Sequence, residues 1–416
     1  MIPPPSVTSA HGLHRAAWDE PENIVLTFDN PRTGRDGGLS GELRVTMGPD
    51  ELHLAQTTVS SVRGRSELAN YLKGRCAGPE WTEIIDQAGR AFMASVRAGD
   101  PAIDLRCAPP LETGRYILAP LIVDRHPTIW FGPGGAAKSL LALAAAASIE
   151  TGYPFLGTTP ARVARCLYLD WELDSAEHRN RLERLAAGAD TPVPRMDYLR
   201  GEGPIWHEAD RIRRAADKLG SEFLVVDSIT AAIDGPLEAA ETATSFYNAL
   251  RRIGLPALCI AHQVKAEQGD QSPFGSILWR ERARLVWYLR AADSGDPDRM
   301  PVAFYARKNN LGAMPPAQGL TLTFAGDGGP ITVSRSDVND SAELADRLPV
   351  RTRIKAALRH GAMTYAEIAE EIGAPLNTVI QTMGRDKAGT FQRVTGPDGV
   401  TRSGLAASPS QVTTVT

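Results

Sequence analysis

The sequence predicts an α/β protein: a mainly parallel sheet with flanking helices in the middle of the chain, a small α+β domain before it and a compact helical unit after it. Three observations carry this. Beyond residue 127, short apolar runs (TIWFG, CLYLDWE, FLVVDSI, ALCIAHQ, ARLVWYL, VAFYARK) alternate with helical stretches, as strands buried on both faces of a parallel sheet do. Between Ile24 and Val62 the segments IVLTF, GELRVTM and ELHLAQTTV alternate apolar with polar residues around glycine and proline turns, which is the signal of half-buried strands. The third is length: 416 residues exceed one comfortable core and imply two or three units, one of them dominant.

Residues 1–110 read as the N-terminal α+β domain, with a helix near Trp81 to Val96 and a linker from Asp100 to Pro110. No cluster of His, Cys or acidic residues gives this domain a legible chemistry. Residues 111–336 hold the central sheet, closed by a hairpin in which LTLTF and ITVSR flank a DGG turn. Ser336 to Pro349 is polar and acidic, as a second linker would be. Residues 350–407 form a separate small unit, and 408–416 are expected to be a disordered tail. There is no internal repeat.

A net charge of −4 excludes a generally basic coat for nucleic acid, so contacts with DNA must come from local patches. The four cysteines, Cys76, Cys107, Cys166 and Cys259, lie far apart without CxxC spacing. This argues against a zinc site or disulfide framework and for buried thiols in a reducing compartment. No secretory signal is visible, and the longest apolar stretch, Leu140 to Ile149, is half a membrane span. A cytoplasmic protein with no membrane partner is expected.

Thr128 to Phe131 runs into Gly132, Pro133, Gly134, Gly135, Ala136, Ala137, Lys138 and Ser139, and Leu140 continues an apolar helix. Strand, glycine loop and helix together form a phosphate cradle. Backbone N–H groups turn inward, the helix dipole adds its field, Lys138 reaches the β and γ phosphates, and the Ser139 hydroxyl ligates magnesium. Ala137 departs from the pattern, because glycine normally precedes the lysine; alanine fits if it already lies at the helical entry. Asp227 ends the run Phe223 to Val226 and is placed to reach the same magnesium through water. ATP and Mg2+ are the implied cofactors. Glu172, at the end of CLYLDWE, is the candidate base that polarises the attacking water. Asp170 either supports it or faces the sheet, and both acids could instead cap the helix starting near Ser175.

The loop GPGGAAKS, the strands LYLDWE and LVVDS, the strand end CIAHQVK and the segment FYARKNNLG, in this order, resemble the RecA-like ATPase domain of RepA-type plasmid and phage replicative helicases. The match covers about Ile117 to Arg335. The resemblance implies that Glu172 is the catalytic base and that His262, or Gln263 beside it, senses the γ-phosphate. It further nominates Arg307 and Lys308 as cations acting in trans on a neighbouring subunit's nucleotide, against the plain alternative of solvated surface charge. A homo-oligomer, with a hexamer favoured, follows from that.

For DNA, the loop after His262 carries Lys265 among glycines and polar residues, which suits backbone tracking. In the last unit, Arg351 to Leu358, Met363 to Gly373 and Leu376 to Arg385 read as three helices, the third capped by Asn377 or Thr378, and a hairpin follows. This resembles a winged helix-turn-helix domain. The resemblance places Asn377, Thr378, Gln381 and Arg385 toward bases and Arg393 or Arg402 near phosphate, although such domains also bind proteins. The expected activity is a magnesium-dependent ATPase acting on nucleic acid, a ring-forming helicase-like motor of a plasmid, phage or mobile element. Two alternatives stand beside it: a recombinase or loader that forms filaments on single-stranded DNA, and an ATP-switched regulator bound to duplex sites.

Overall fold

The computed structural model describes residues 2–10, 12–19, 23–34, 36–98, 103–108, 110, 114–263 and 277–406. Lys265, residues 100–102 and 109 of the first linker, and the tail 408–416 lie outside the described residues. The chain divides into two compact units: residues 1–112 with 207–215 and 248–254, and residues 113–206, 216–247 and 255–416.

In the first unit, β1 (Ser6–Ala10), β2 (Leu13–Trp18), β3 (Ile24–Thr33), β4 (Leu39–Met47) and β5 (Asp50–Thr58) form an antiparallel meander in chain order. Helices α1 (Val62–Arg75) and α2 (Trp81–Ala98) follow. The alternation in β3 buries Ile24, Leu26 and Phe28, and Phe28 stacks on Phe92 of α2 with ring centroids 5.3 Å apart. Sequence reasoning did not identify β1, β2 or α1. Helix α1 contains two glycines and buries only Leu68, Ala69 and Leu72, so its period is weak; its start is fixed by Ser61, whose hydroxyl accepts from the Gly64 N–H at 3.1 Å. Asp29, at a bulge in β3, is buried and accepts from Arg213 at 2.9 Å and Arg214 at 2.7 Å. Burial of that carboxylate is tolerable because both oxygens are paired.

The second unit opens with the short hairpin of β6 (Tyr116–Leu118) and β7 (Ile122–Val123). In chain order there follow β8 (Thr128–Gly132), α3 (Lys138–Thr151), β9 (Cys166–Asp170), α4 (Ser175–Gly188), β10 (Asp197–Arg200), α5 (Ile205–Leu219), β11 (Phe223–Asp227), α6 (Ala240–Ile253), β12 (Ala257–His262) and α7 (Ile277–Arg282), with residues 207–215 of α5 and 248–253 of α6 counted in the first unit. Strands β13 (Leu285–Ala291), β14 (Arg299–Asn309), β15 (Gln318–Phe324) and β16 (Ile331–Ser336) complete the sheet. The nine strands lie in the order β10-β9-β11-β12-β8-β13-β14-β15-β16. Those from β10 to β13 are mutually parallel, and β14 to β16 are added antiparallel. The mixed α/β architecture and the closing hairpin agree with the sequence; β10 is a four-residue edge strand whose half-buried DYLR carried no signal.

Strands β8, β9 and β11 are buried at every position. Helix α3 is buried from Leu140 to Ile149, which accounts for its apolar run without a membrane. Among the described residues no helix is long and apolar enough to cross one. All four cysteines are free, with Cys166 and Cys259 buried but Cys107 exposed, contrary to the expectation of uniformly buried thiols.

Ser336 to Pro349 is not an extended linker. It folds into a short 3-10 turn and α8 (Ala342–Ala345), because Val338, Leu344 and Leu348 bury their side chains and the Tyr305 hydroxyl donates to the Leu344 carbonyl at 2.5 Å. Beyond it, α9 (Val350–Ala357), α10 (Tyr365–Glu371) and α11 (Leu376–Gly384) enclose Ile354, Leu358, Ile368, Ile372, Val379 and Met383. Strands β17 (Phe391–Thr395) and β18 (Thr401–Leu405) pair antiparallel, and Met363 bridges Ser403. The cap of α11 is Pro375, not Asn377 or Thr378, which stand inside the first turn.

Candidate functional site

Parallel register brings four strand ends to one edge of the sheet. His262 of β12 stands beside Gly132 of β8, and Asp227 of β11 beside Asp170 of β9. Open parallel sheets bind ligands at this edge, where helix N-termini and strand carboxyl ends meet. Gly132 is required by packing: a β-carbon there would lie 2.2 Å from the Leu289 carbonyl oxygen of β13. Gly135 has φ +76°, a left-handed conformation that glycine adopts without a steric penalty.

Ala137 does stand at the helical entry, as the N-cap of α3, but its backbone is left-handed, with φ +54° and ψ +23°. A β-carbon in that region costs about 1–2 kcal/mol, against about 0.5–1 kcal/mol of extra chain entropy for glycine. Ala137→Gly is therefore expected to stabilise the protein by about 0.5–1 kcal/mol, read as a higher urea midpoint at unchanged slope. A lower midpoint would contradict the strain, and turnover measured on the same variant shows whether alanine slows the site.

Lys138 is 5% exposed and donates to the Gly132 carbonyl at 3.0 Å and the Pro133 carbonyl at 2.8 Å, folded back on its own loop. Burial lowers its pKa to about 8, partly opposed by Asp227 and Glu172. A triphosphate would favour the charged ammonium, so nucleotide binding is expected to take up a proton above pH 8. Affinity should fall by up to about tenfold per pH unit there, a trend that titration calorimetry in buffers of different ionisation enthalpy would detect. A flat profile would remove Lys138 from phosphate binding.

Asp227 is 2% exposed, and burial raises its pKa. Its Oδ2 accepts from the Tyr168 hydroxyl at 2.7 Å. Oδ1 is buried without a hydrogen bond, although the Ser139 hydroxyl lies near enough to favour the carboxylate. An orphaned carboxylate oxygen beside Ser139 suits a hydrated Mg2+, with Asp227 and Ser139 holding it. Among the described residues no group of three His, Cys, Asp or Glu could hold a metal unaided, so the remaining ligands would be phosphate and water.

Glu172 stands exposed beyond the end of β9. Its Oε1 accepts from the Ser228 hydroxyl and from His262 Nε2 at 3.2 Å. The hydrogen bond from His262 is the main cause of its lowered pKa, with help from Ser228 and Lys138. Base and sensor candidates thus touch directly. Neither strand acid caps α4, a role taken by Asp174. Asp170 supports Glu172 instead: fully buried, it accepts from the Glu172 N–H at 2.9 Å, the Leu173 N–H at 3.0 Å and His178 Nε2 at 3.0 Å. Gln263 is anchored by its backbone N–H to the Gly132 carbonyl at 3.0 Å.

A cavity of about 380 Å³ opens beside the loop, lined on one side by Gly135 to Leu140 and His262. Sequence reasoning missed Tyr168, Ser228, His178 and the cavity's remaining walls. Tyr168 had one usable signal, its position two residues before Asp170 on the same strand face.

Arg307 and Lys308 are not at this edge. Because β14 is antiparallel to β13, they lie toward the opposite end, where Leu285 pairs with both Thr128 and Asn309. The Arg307 guanidinium sits over the rings of Tyr288 and Tyr305, at 5.2 and 5.6 Å. Lys308 donates to the Arg280 carbonyl at 2.9 Å and to that of Glu281. In the last unit Asn377, Gln381, Arg385 and Arg393 are exposed and Thr378 is half-buried. Arg402 is paired with Asp398 at 2.6 Å, which offsets its charge.

No curated protein matched the chain. Residues 96–268 match the family model described as an AAA domain, of the P-loop ATPase class, and this span, which contains the phosphate loop, Glu172, Asp227 and His262, points to an ATPase.

Proposed function

We propose that the chain is a magnesium-dependent ATPase acting on nucleic acid, a ring-forming helicase-like motor of the RepA type from a plasmid, phage or mobile element. The observation that carries the hydrolytic part is the contact of Glu172 with both Ser228 and His262 beside the phosphate loop. The loop N–H groups and Lys138 would hold the phosphates, and Ser139 and Asp227 would hold Mg2+, which would supply positive charge to offset that of the phosphates. Glu172, kept anionic, accepts the proton of the attacking water. His262 can hydrogen-bond either Glu172 or a phosphate oxygen, so loss of the γ-phosphate changes its partner.

Arg307 and Lys308, remote from their own phosphate loop, are proposed to serve a neighbour's nucleotide, with a hexamer as the assembly. Single-stranded DNA is proposed to contact the loop containing Lys265. The C-terminal unit, read as a winged helix, would present Asn377, Thr378, Gln381 and Arg385 to duplex, with Arg393 and Arg402 near phosphate. Steady-state ATP hydrolysis with and without single-stranded DNA, beside mass measurement of the assembly, tests this reading. DNA-stimulated turnover by an oligomer is the expected result; turnover by a monomer indifferent to DNA would overturn the motor.

A further inference from the structure

The cavity beside the phosphate loop has an apolar far wall whose role the hydrolytic groups leave open. Met300 of β14 pairs with Leu322 of β15, and Phe324 of β15 pairs with Ile331 of β16. Residues paired across strands, and those two apart on one strand, share a face, so these four side chains lie together on one side of the sheet. Leu322 and Ile331 are buried, whereas Met300 and Phe324 are half-buried, and Met300, Phe324 and Ile331 line the cavity. Glu177, Arg181 and Arg184 of α4 also line it. Arg181 Nε donates to Glu177 at 2.8 Å, and Arg184 Nε to the Gly329 carbonyl at 2.6 Å.

Building on the nucleotide reading of the loop, we propose that the Met300–Phe324–Ile331 wall is the nucleobase subsite, with the base against the Phe324 ring, and that it accepts purine and pyrimidine nucleoside triphosphates alike. The wall and the phosphate cradle line the same cavity, so a triphosphate on Lys138 and Ser139 has its nucleoside within reach of the wall. An aromatic face flanked by Met and Ile stacks on any base, since every base has a π-face. Discrimination requires donors and acceptors fixed against the base edge. Among the described lining residues there is no Asn, Gln, Asp or Thr to supply them, and on α4 the Nε of Arg181 is held by Glu177 and the Nε of Arg184 by the Gly329 carbonyl.

The test compares ATP, GTP, CTP and UTP on the whole chain and on Phe324→Ala and Phe324→Tyr, using calorimetric Kd and hydrolytic kcat/KM, with inorganic tripolyphosphate as a competitor that needs only the loop. The wild type is expected to discriminate among the four by less than about tenfold, because stacking alone reads no edge. Phe324→Ala should weaken all four by about tenfold or more, the usual loss for a stacking side chain, while tripolyphosphate binds as before. Phe324→Tyr, which retains a ring, should restore affinity. Unchanged nucleoside triphosphate affinity in Phe324→Ala would overturn the subsite. Strong preference of the wild type for one base would overturn its tolerance. If the wild type binds neither ATP nor tripolyphosphate, the phosphate loop reading itself fails.

Discussion

Glu172→Gln is expected to lower ATP turnover by about a hundredfold or more, the usual contribution of a positioned general base, while ATP affinity stays within about twofold. The amide keeps the length of the side chain and can still accept from Ser228 and His262, so the loop and the sheet edge remain in place. Basicity is what it loses. The hydrogen bond from His262 and the nearby Lys138 hold the Glu172 carboxyl below the ordinary range, so the wild-type group is ionised throughout neutral pH and ready to polarise water. Single-turnover phosphate release beside equilibrium ATP binding separates the two effects. Turnover near wild type would move the base elsewhere, and parallel loss of binding would make Glu172 a structural residue.

Asp170→Ala is expected to destabilise the protein by about 3 kcal/mol or more, the cost of leaving three donors without their acceptor at about 1–3 kcal/mol each, and to lower turnover as well. The Asp170 carboxylate is fully buried and satisfies the N–H groups of Glu172 and Leu173 together with His178 Nε2. Its loss strands these donors away from water. The turn that carries Glu172 then loses the acceptor that holds the N–H groups of Glu172 and Leu173, so the base wanders even in molecules that stay folded. Urea unfolding measures the first effect, and kcat at a temperature well below unfolding measures the second. A loss under about 1 kcal/mol would mean that water replaces the carboxylate.

What the sequence showed of the site was what one local segment can encode. Gly132 to Ser139 are contiguous, with a buried strand before and a buried helix after, so loop and context could be read together. Glu172, Asp227 and His262 each end an apolar run, and a strand end is visible without knowing which strands are neighbours. The contacts among them were not visible, because the order β9-β11-β12-β8 differs from chain order. Ser228 becomes a partner of Glu172, and Tyr168 a partner of Asp227, only once β9 and β11 are paired in register. The wall of Met300, Phe324 and Ile331 is harder still, assembled from three antiparallel strands far downstream of the loop. Ala137 shows a different limit: composition marks the departure from glycine, but its sign depends on a backbone angle that only the folded loop supplies. The stretch 336–349 misled for a simpler reason, since three apolar residues among many polar ones suffice to dock a short helix.

Phosphate release from ATP by the purified chain, followed across a magnesium titration and repeated with Lys138→Ala, tests the site most directly. Release that requires magnesium and disappears with Lys138→Ala is the predicted result. No release at any magnesium concentration, or release undiminished without the lysine, would contradict it.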